Sequence, residues 1–338
     1  MRKKTTFGSI WRVLKQTFKG FSEDRVAKYA ASLAYYTLFA IGPLMVMIIA
    51  STAIFFDREV IENKIYAILV DFIGIDAANQ IDQVIKNAYI DATSVKAVII
   101  GVVTLLLGAT GVFGEIQDSI NRIWGIKAKP KKGWLKFLLN RLLSFSIIIT
   151  LGFLLLVSLV VSGAVEALSG MLQAHYPDVT VVLFYIFNLI LTLGISFVIF
   201  AIIFKVLPDA KIKWRDVIAG AVVTAILFML GKFGISFYLS KSKVGTTFGS
   251  AGSIIILLAW IYYSSIILYL GAEFTKAYAL EFGDEIHPND YAVTTKEVVV
   301  ETGSMTVQEK EAEVGDINDK PAEEKLDALK SILAHPKT

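Results

Sequence analysis

From Tyr29 to Phe56 the chain reads YAASLAYYTLFAIGPLMVMIIASTAIFF, a run with no ionisable side chain other than tyrosine. A helix of about 20 apolar residues crosses the hydrocarbon core of a bilayer, so this stretch predicts a membrane span. Its first half is small and flecked with polar groups, including Ser32, Tyr35, Tyr36 and Thr37; the second half, after Gly42 and Pro43, is apolar. Proline removes a backbone donor and pushes the preceding residue away from helical geometry, so a kink or break is expected at Pro43. Two readings stay open. One is a half-helix lining a substrate path, where protein or water satisfies the freed carbonyls. The other is a packed helix with a proline bend, since proline is frequent in transmembrane helices.

Further apolar runs follow at about 95–113, 140–163, 179–204, 217–234 and 253–270. Between the first two, acids dominate residues 57–94 (Asp57, Glu59, Glu62, Asp71, Asp76, Asp82, Asp91). Within that stretch Ile61, Ile65, Ile68, Leu69 and Phe72, then Ala77, Ile81, Val84, Ile85 and Ala88, keep a helical period. That pattern predicts two amphipathic helices on the outer face, capping the bundle or resting on the leaflet. Ahead of the first span, residues 1–28 set Ile10, Trp11, Leu14, Phe18 and Phe21 against Arg12, Lys15 and Lys19. This is the pattern of a basic amphipathic helix lying in the interface. Ser22 before Glu23 and Asp24 reads as the N-cap of the first span.

Polar positions inside the spans line up. Gly101, Thr104, Gly108, Gly111, Glu115, Asp118 and Arg122 fall on one side of a helix. They pass from a groove suited to close helix approach into a charged cluster, where Asp118 and Arg122 are spaced for an i, i+4 pair. That stripe reads either as the mouth of a pathway or as packing plus interfacial anchoring. Ser146, Thr150, Ser158 and Ser162 recur at multiples of four in the third span. In the last, Trp260 and Ser264 share a side, Tyr262, Tyr263 and Tyr269 are amphipathic, and Gly271, Ala272 and Glu273 close the inner end.

Charge orients the chain. Lys127, Lys129, Lys131, Lys132 and Lys136, and later Lys205, Lys211, Lys213 and Arg215, mark two loops as cytoplasmic by the positive-inside rule. Both termini then lie inside, with Lys241 and Lys243 the exceptions. The expected fold is all-α: a polytopic membrane protein of six transmembrane helices, N-in and C-in, with amphipathic helices in the first outer loop. Its domain is residues 29–280, followed by an acidic, mostly disordered cytoplasmic tail over 281–338. The 338 residues are 55% hydrophobic, with a mean hydropathy of +0.62, which excludes an ordinary soluble domain of this length.

Candidate chemistry is sparse. With no cysteine, disulfides, thiolate metal sites and cysteine nucleophiles are excluded. His175, His287 and His335 lie in loops or the tail without metal-ligand spacing. No GK[ST] glycine loop occurs. No catalytic residue, metal site or cofactor is expected, and the chain does not read as an enzyme. The expected partners of the basic loops are membrane lipids, chiefly anionic headgroups, and no nucleic acid.

Four blocks carry a family likeness: AASLAYYTLFAIGPL (30–44), SINRIWG (119–125), LPDAKIKWRDVIAGA (207–221) and FGSAGSIIILLAWIYYSSIILYLGAEFTKA (248–277). Over roughly residues 8–282 the chain resembles the YihY/BrkB family of bacterial inner-membrane proteins. The resemblance implies a six-helix protein of the bacterial cytoplasmic membrane. Members have carried the label ribonuclease BN and have been linked to serum resistance and to moving lipids across or out of the membrane. The function expected here is therefore a transporter or flippase-like protein for a lipid or other amphiphile. Its pathway residues would be Ser32, Tyr35, Tyr36, Pro43, Glu115, Asp118, Arg122, Trp260, Tyr263 and Glu273. The alternatives are a membrane scaffold supporting envelope integrity and, further off, a membrane-tethered ribonuclease reading RNA through Lys127 to Lys136.

Overall fold

The computed structural model describes residues 7–52, 58–73, 75–88, 111–129, 177–241, 252–283 and 286–295. In chain order these form α1 (Phe7–Glu23), α2 (Val26–Thr52), α3 (Arg58–Ile73), α4 (Ile75–Ala88), α5 (111–123) and β1 (Ile126–Ala128). Then come α6 (Pro177–Val206), β2 (Ala210–Lys211), α7 (Trp214–Lys241), α8 (Gly252–Phe282), β3 (His287–Pro288) and β4 (Ala292–Thr294). Among the described residues, three helices hold stretches long and apolar enough to cross a membrane: Ile186–Val206, Trp214–Ile235 and Ile254–Phe282. Gly101, Thr104 and Gly108, the third expected span, the lysines from 131 to 136 and the tail beyond 295 lie outside the described residues.

The long helices bury little for their hydrophobicity. On α7, Ile218, Val222, Ile226, Leu230, Phe233 and Phe237 are all exposed at steps of three or four, forming one continuous apolar stripe. In water such a stripe would be an aggregation site. In a bilayer it is the face that meets acyl chains, and α6 presents a similar one through Val182, Ile186, Leu189 and Ile190.

Inside, α7 and α8 approach at glycine. Thr224 donates its hydroxyl to the Gly220 carbonyl one turn back, and Thr275 does the same to Gly271. Each threonine side chain lies over the other helix's glycine: a Cβ on Gly220 would stand 1.8 Å from Thr275 Oγ1, and one on Gly271 would stand 1.9 Å from Thr224 Oγ1. The two glycine-to-threonine steps therefore interlock reciprocally. Small residues allow the backbones to close up, and the threonine hydroxyls are satisfied within their own helices. A ladder of aromatic rings, Phe204, Phe200, Phe228, Trp260 and Tyr263, joins α6, α7 and α8 along the same seam.

Several sequence expectations are corrected here. α2 runs unbroken through Gly42 and Pro43, so Pro43 does not end a half-helix. The missing donor frees one carbonyl, which a long helix in a packed bundle accommodates by local adjustment. Ser22 is not the cap of α2, because α1 continues to Glu23. The turn is made by Arg25, whose φ of 53° lies in the left-handed region, with its N–H donating to the Ser22 carbonyl. A side chain in that region costs about 1–2 kcal/mol that glycine avoids. Arg25→Gly should accordingly stabilise the protein by about 1 kcal/mol, read as a raised unfolding midpoint in detergent.

The fold is helical but not purely so. β1 pairs antiparallel with β4, Ile126 opposite Thr294, and β2 pairs with β3, Ala210 opposite Pro288. Residues 286–295 are thus folded onto the loops at one end of the bundle and do not belong to the tail. The described fold therefore runs on to Thr294. Asn289, Asp290 and Tyr291 form the turn, closed by the Ala292 N–H donating to the Asn289 carbonyl, and the Ala-Val-Thr of β4 suits a strand.

The buried core is stacked along the bundle. A large cluster at this looped end gathers Val26, Ala30, Ile116, Ile120, Phe204, Val217, Leu268 and Tyr269. A second gathers Ala34, Ile65, Ile81, Leu257 and Ile261 from α2, α3, α4 and α8. A third fixes α1 on α8 through Val13, Ala277 and Phe282. α1 uses its narrow stripe of Ser9, Val13 and Thr17 for this and leaves Phe7, Ile10, Trp11 and Phe18 exposed, so the broad apolar face read from the sequence is not the face packed on the protein.

Candidate functional site at the looped end of the bundle

Three of the sequence blocks meet at one end of the bundle, around Asp209. The last turn of α6 gives way at Leu207 and Pro208, and Asp209 follows, 1% exposed. Asn121 on α5 grips it twice: Asn121 Nδ2 donates to Asp209 Oδ2 at 2.9 Å, and the Asp209 backbone N–H donates to Asn121 Oδ1 at 2.8 Å. Gln117, one turn back on α5, donates from Nε2 to Asp209 Oδ1 at 3.1 Å. The Asp209 carbonyl accepts the N–H of Asn289, between β3 and β4. One residue thus holds α5, the α6–α7 turn and the terminal strands together. Charge-assisted bonds of this kind are roughly twice as strong as neutral ones, which offsets the burial of the carboxylate.

Neighbouring groups extend the cluster. Trp124, after α5, donates its indole N–H to the Ala272 carbonyl of α8 at 3.1 Å. Gly125 holds a φ of 66°, the left-handed turn that lets the chain leave α5 and enter β1. Lys205 donates to the Ile212 carbonyl, and its Nζ lies 5.5 Å from the centre of the Trp214 ring. Tyr291 sits beside Asp209; its phenol is held above the ordinary range, first by burial and then by that carboxylate.

The ten residues predicted from sequence fall in three places. On α2, Ser32 is half-buried, while Tyr35 and Tyr36 are 60% and 42% exposed, their rings 5.9 Å apart edge to face. Tyr36 covers Gly111 of α5, where a Cβ would come within 3.0 Å of the ring. Further along α5, Glu115 is half-buried and accepts the Ser119 hydroxyl at 3.4 Å, and Asp118 and Arg122 are exposed. Pro43 lies in α2, its side chain outside the described residues. The second place is the α7–α8 seam, where Trp260 is buried with its ring 6.2 Å from Phe228, and the Tyr263 hydroxyl occupies the space over Gly231.

Glu273 is the third place. It is 1% exposed and lies against Gly20 of α1, where a Cβ would stand 2.4 Å from its carboxylate. Lys276 Nζ bridges two acids, 2.7 Å from Asp24 and 3.4 Å from Glu273. Arg12 reaches Glu281 at 2.6 Å on the same α1–α8 contact. Glu273 therefore belongs to the junction that docks α1.

Gln117, Asn121 and Asp209 were missed as site residues. The signal was in the sequence, since Asn121 and Asp209 lie within the quoted blocks 119–125 and 207–221, but only contact across 88 positions shows that one block recognises the other.

A family model described as Virulence factor BrkB matches residues 17–292. The chain is 29% identical over 269 residues to a UPF0761 membrane protein of Stenotrophomonas maltophilia (strain R551-3), covering 77% of this chain and 59% of the relative. It is 26% identical over 275 residues to a UPF0761 membrane protein of Halorhodospira halophila (80% and 58% covered) and 26% identical over 268 residues to one of Pseudoalteromonas atlantica (79% and 85%). The chain thus spans under two thirds of the length of the first two relatives. No solved structure matches it.

Proposed function

The chain belongs to the Virulence factor BrkB family, and from that premise we propose that it is a multi-pass protein of the bacterial cytoplasmic membrane that moves a lipid or other amphiphile between leaflets or out of the membrane. The observation that carries this reading is the open side of α2. Tyr35 and Tyr36 expose aromatic rings with hydroxyl tips beside Gly111, and the half-buried carboxylate of Glu115 follows one turn on. Such groups offer an amphiphile an apolar wall and polar stations at successive depths.

The finer arrangement proposed is six spans with both termini in the cytoplasm. It is supported by the basic residues gathered at the looped end, among them Lys127, Lys129, Lys211, Lys213 and Arg215, which are the partners offered to anionic headgroups. The exposed Phe7, Ile10, Trp11 and Phe18 of α1 suit a helix lying in the leaflet on that side.

Reconstitution in liposomes with a headgroup-accessibility assay tests the proposal. Lipid should cross faster than in empty vesicles, and Tyr36→Ala with Glu115→Ala should slow it by about tenfold, the loss of some 1.4 kcal/mol of stabilisation along the path. Movement no faster than in empty vesicles would end the translocation reading. A scaffold acting through its tail is separated by ending the chain after Thr295, which spares β4: a scaffold loses its function, a translocator keeps it.

A further inference from the structure

α3 and α4 form an antiparallel hairpin beside α2, and α4 also touches α7 and α8. Its apolar side does not rest on the end of the bundle. Ile65 and Ile81 are buried with Ala34 of α2 and with Leu257 and Ile261 of α8, and Ala77 and Ala78 near the tip are fully buried. At 1.5 Å per residue, Ala34 lies about 27 Å along α2 from its Thr52 end and only about 9 Å from Lys28. Ile261 lies about 18 Å along α8 from Glu273. A hydrocarbon core is about 30 Å thick, so these contacts fall inside it. The hairpin enters the bundle alongside α2, turns within it and leaves.

The opposite side of α4 is polar. Asn79, Gln83 and Lys86 are exposed in one line down the helix, with Ile75 at its tip. Lys86 pairs with Asp82 at 2.6 Å, and Tyr66 of α3 donates to Asn79 Oδ1 at 2.6 Å. Gln80 Oε1 is buried without a hydrogen-bond partner. Amides cannot face acyl chains at that depth, and re-entrant elements are tolerated only against protein or water; Lys86, about 12 Å along α4 from Ala78, continues the same polar line toward the mouth. We infer that the α3–α4 hairpin is a re-entrant element whose Asn79–Gln83–Lys86 face lines a water-filled vestibule, open at the α2–α3 end and admitting small polar or charged solutes to mid-bundle. The inference requires the membrane setting but not lipid transport; a vestibule without lipid movement leaves it intact.

The absence of native cysteine makes the test direct. Asn79→Cys and Gln83→Cys are each placed in the full chain in membranes opened to both faces, with the lipid-facing Leu230→Cys as control. Each is treated with a small charged methanethiosulfonate and with a bulky polyethylene-glycol maleimide. The expected result is that both hairpin cysteines react with the small reagent on the order of tenfold or more faster than position 230, while the bulky reagent fails to react. Reaction with both reagents makes the hairpin a surface cap and overturns the inference. Reaction with neither means that protein covers the polar face, which overturns it equally. Two positions are used because Asn79 accepts the Tyr66 bond and its replacement can disturb the hairpin, so Gln83 reports on the same face independently.

Discussion

Asp209→Ala should destabilise the protein by about 3 kcal/mol, lowering the unfolding midpoint in detergent and opening the looped end to protease. The change removes the acceptor for Gln117 and Asn121 and leaves two buried amides without partners in a site closed to water. Relief from burying a carboxylate does not cancel this, since the void and the orphaned donors remain. Asp209→Asn should cost only about 1 kcal/mol, because Gln117 can turn its amide and present an oxygen to the new NH2 group. An equal loss for both variants would mean that charge, not the bonding pattern, holds the clasp. Chains ended at Phe282, which lack β3 and β4, should resemble Asp209→Ala; chains ended at Thr295 should resemble the intact protein.

The second large effect is expected at the α7–α8 seam. Gly220→Ala places a methyl group 1.8 Å from Thr275 Oγ1 and 2.9 Å from its Cβ, so the helices must separate or the threonine must leave its rotamer. Overpacking of this kind costs about 1–3 kcal/mol, and here the upper end applies because the aromatic ladder and the Thr224–Gly271 contact share the same interface. Gly271→Ala should do the same from the other side. The double variant Gly220→Ala with Thr275→Gly restores the space and should recover most of the loss, a strongly non-additive result in a double-mutant cycle. Additive losses would show that the glycines serve some end other than close approach.

What the sequence disclosed, and what it hid, divides along physical lines. The apolar runs behind α2, α6, α7 and α8 were legible because hydrophobic length is read one residue at a time, and the helical period of 57–94 announced two helices. Their position was not legible. Alternation tells which side of α4 is apolar, but Ala34 and Ile261 decide whether that side meets lipid or the bundle interior. The small strands were missed because the His287–Pro288 and Ala210–Lys211 pairings are long-range contacts of a few residues, below the reach of any periodicity. Pro43 does not interrupt α2, because a single lost hydrogen bond is minor in a 27-residue helix, and of the two readings open at that residue only the half-helix falls. For the site, chemistry-bearing side chains such as Glu273 and Trp260 drew attention by type, whereas Asn121 and Asp209 matter by mutual placement.

The β1–β4 pairing has a bearing on how the molecule is made. Its two strands, Ile126–Ala128 and Ala292–Thr294, sit at opposite ends of a stretch that includes α6, α7 and α8, so the knot cannot be tied while the ribosome is still translating those helices. Until Thr294 emerges, the early and late halves are held by the Asn121–Asp209 clasp, the Trp124–Ala272 bond and the buried core. A protein stalled short of that point would hang in the bilayer with its last latch undone, an open end for a membrane protease to find.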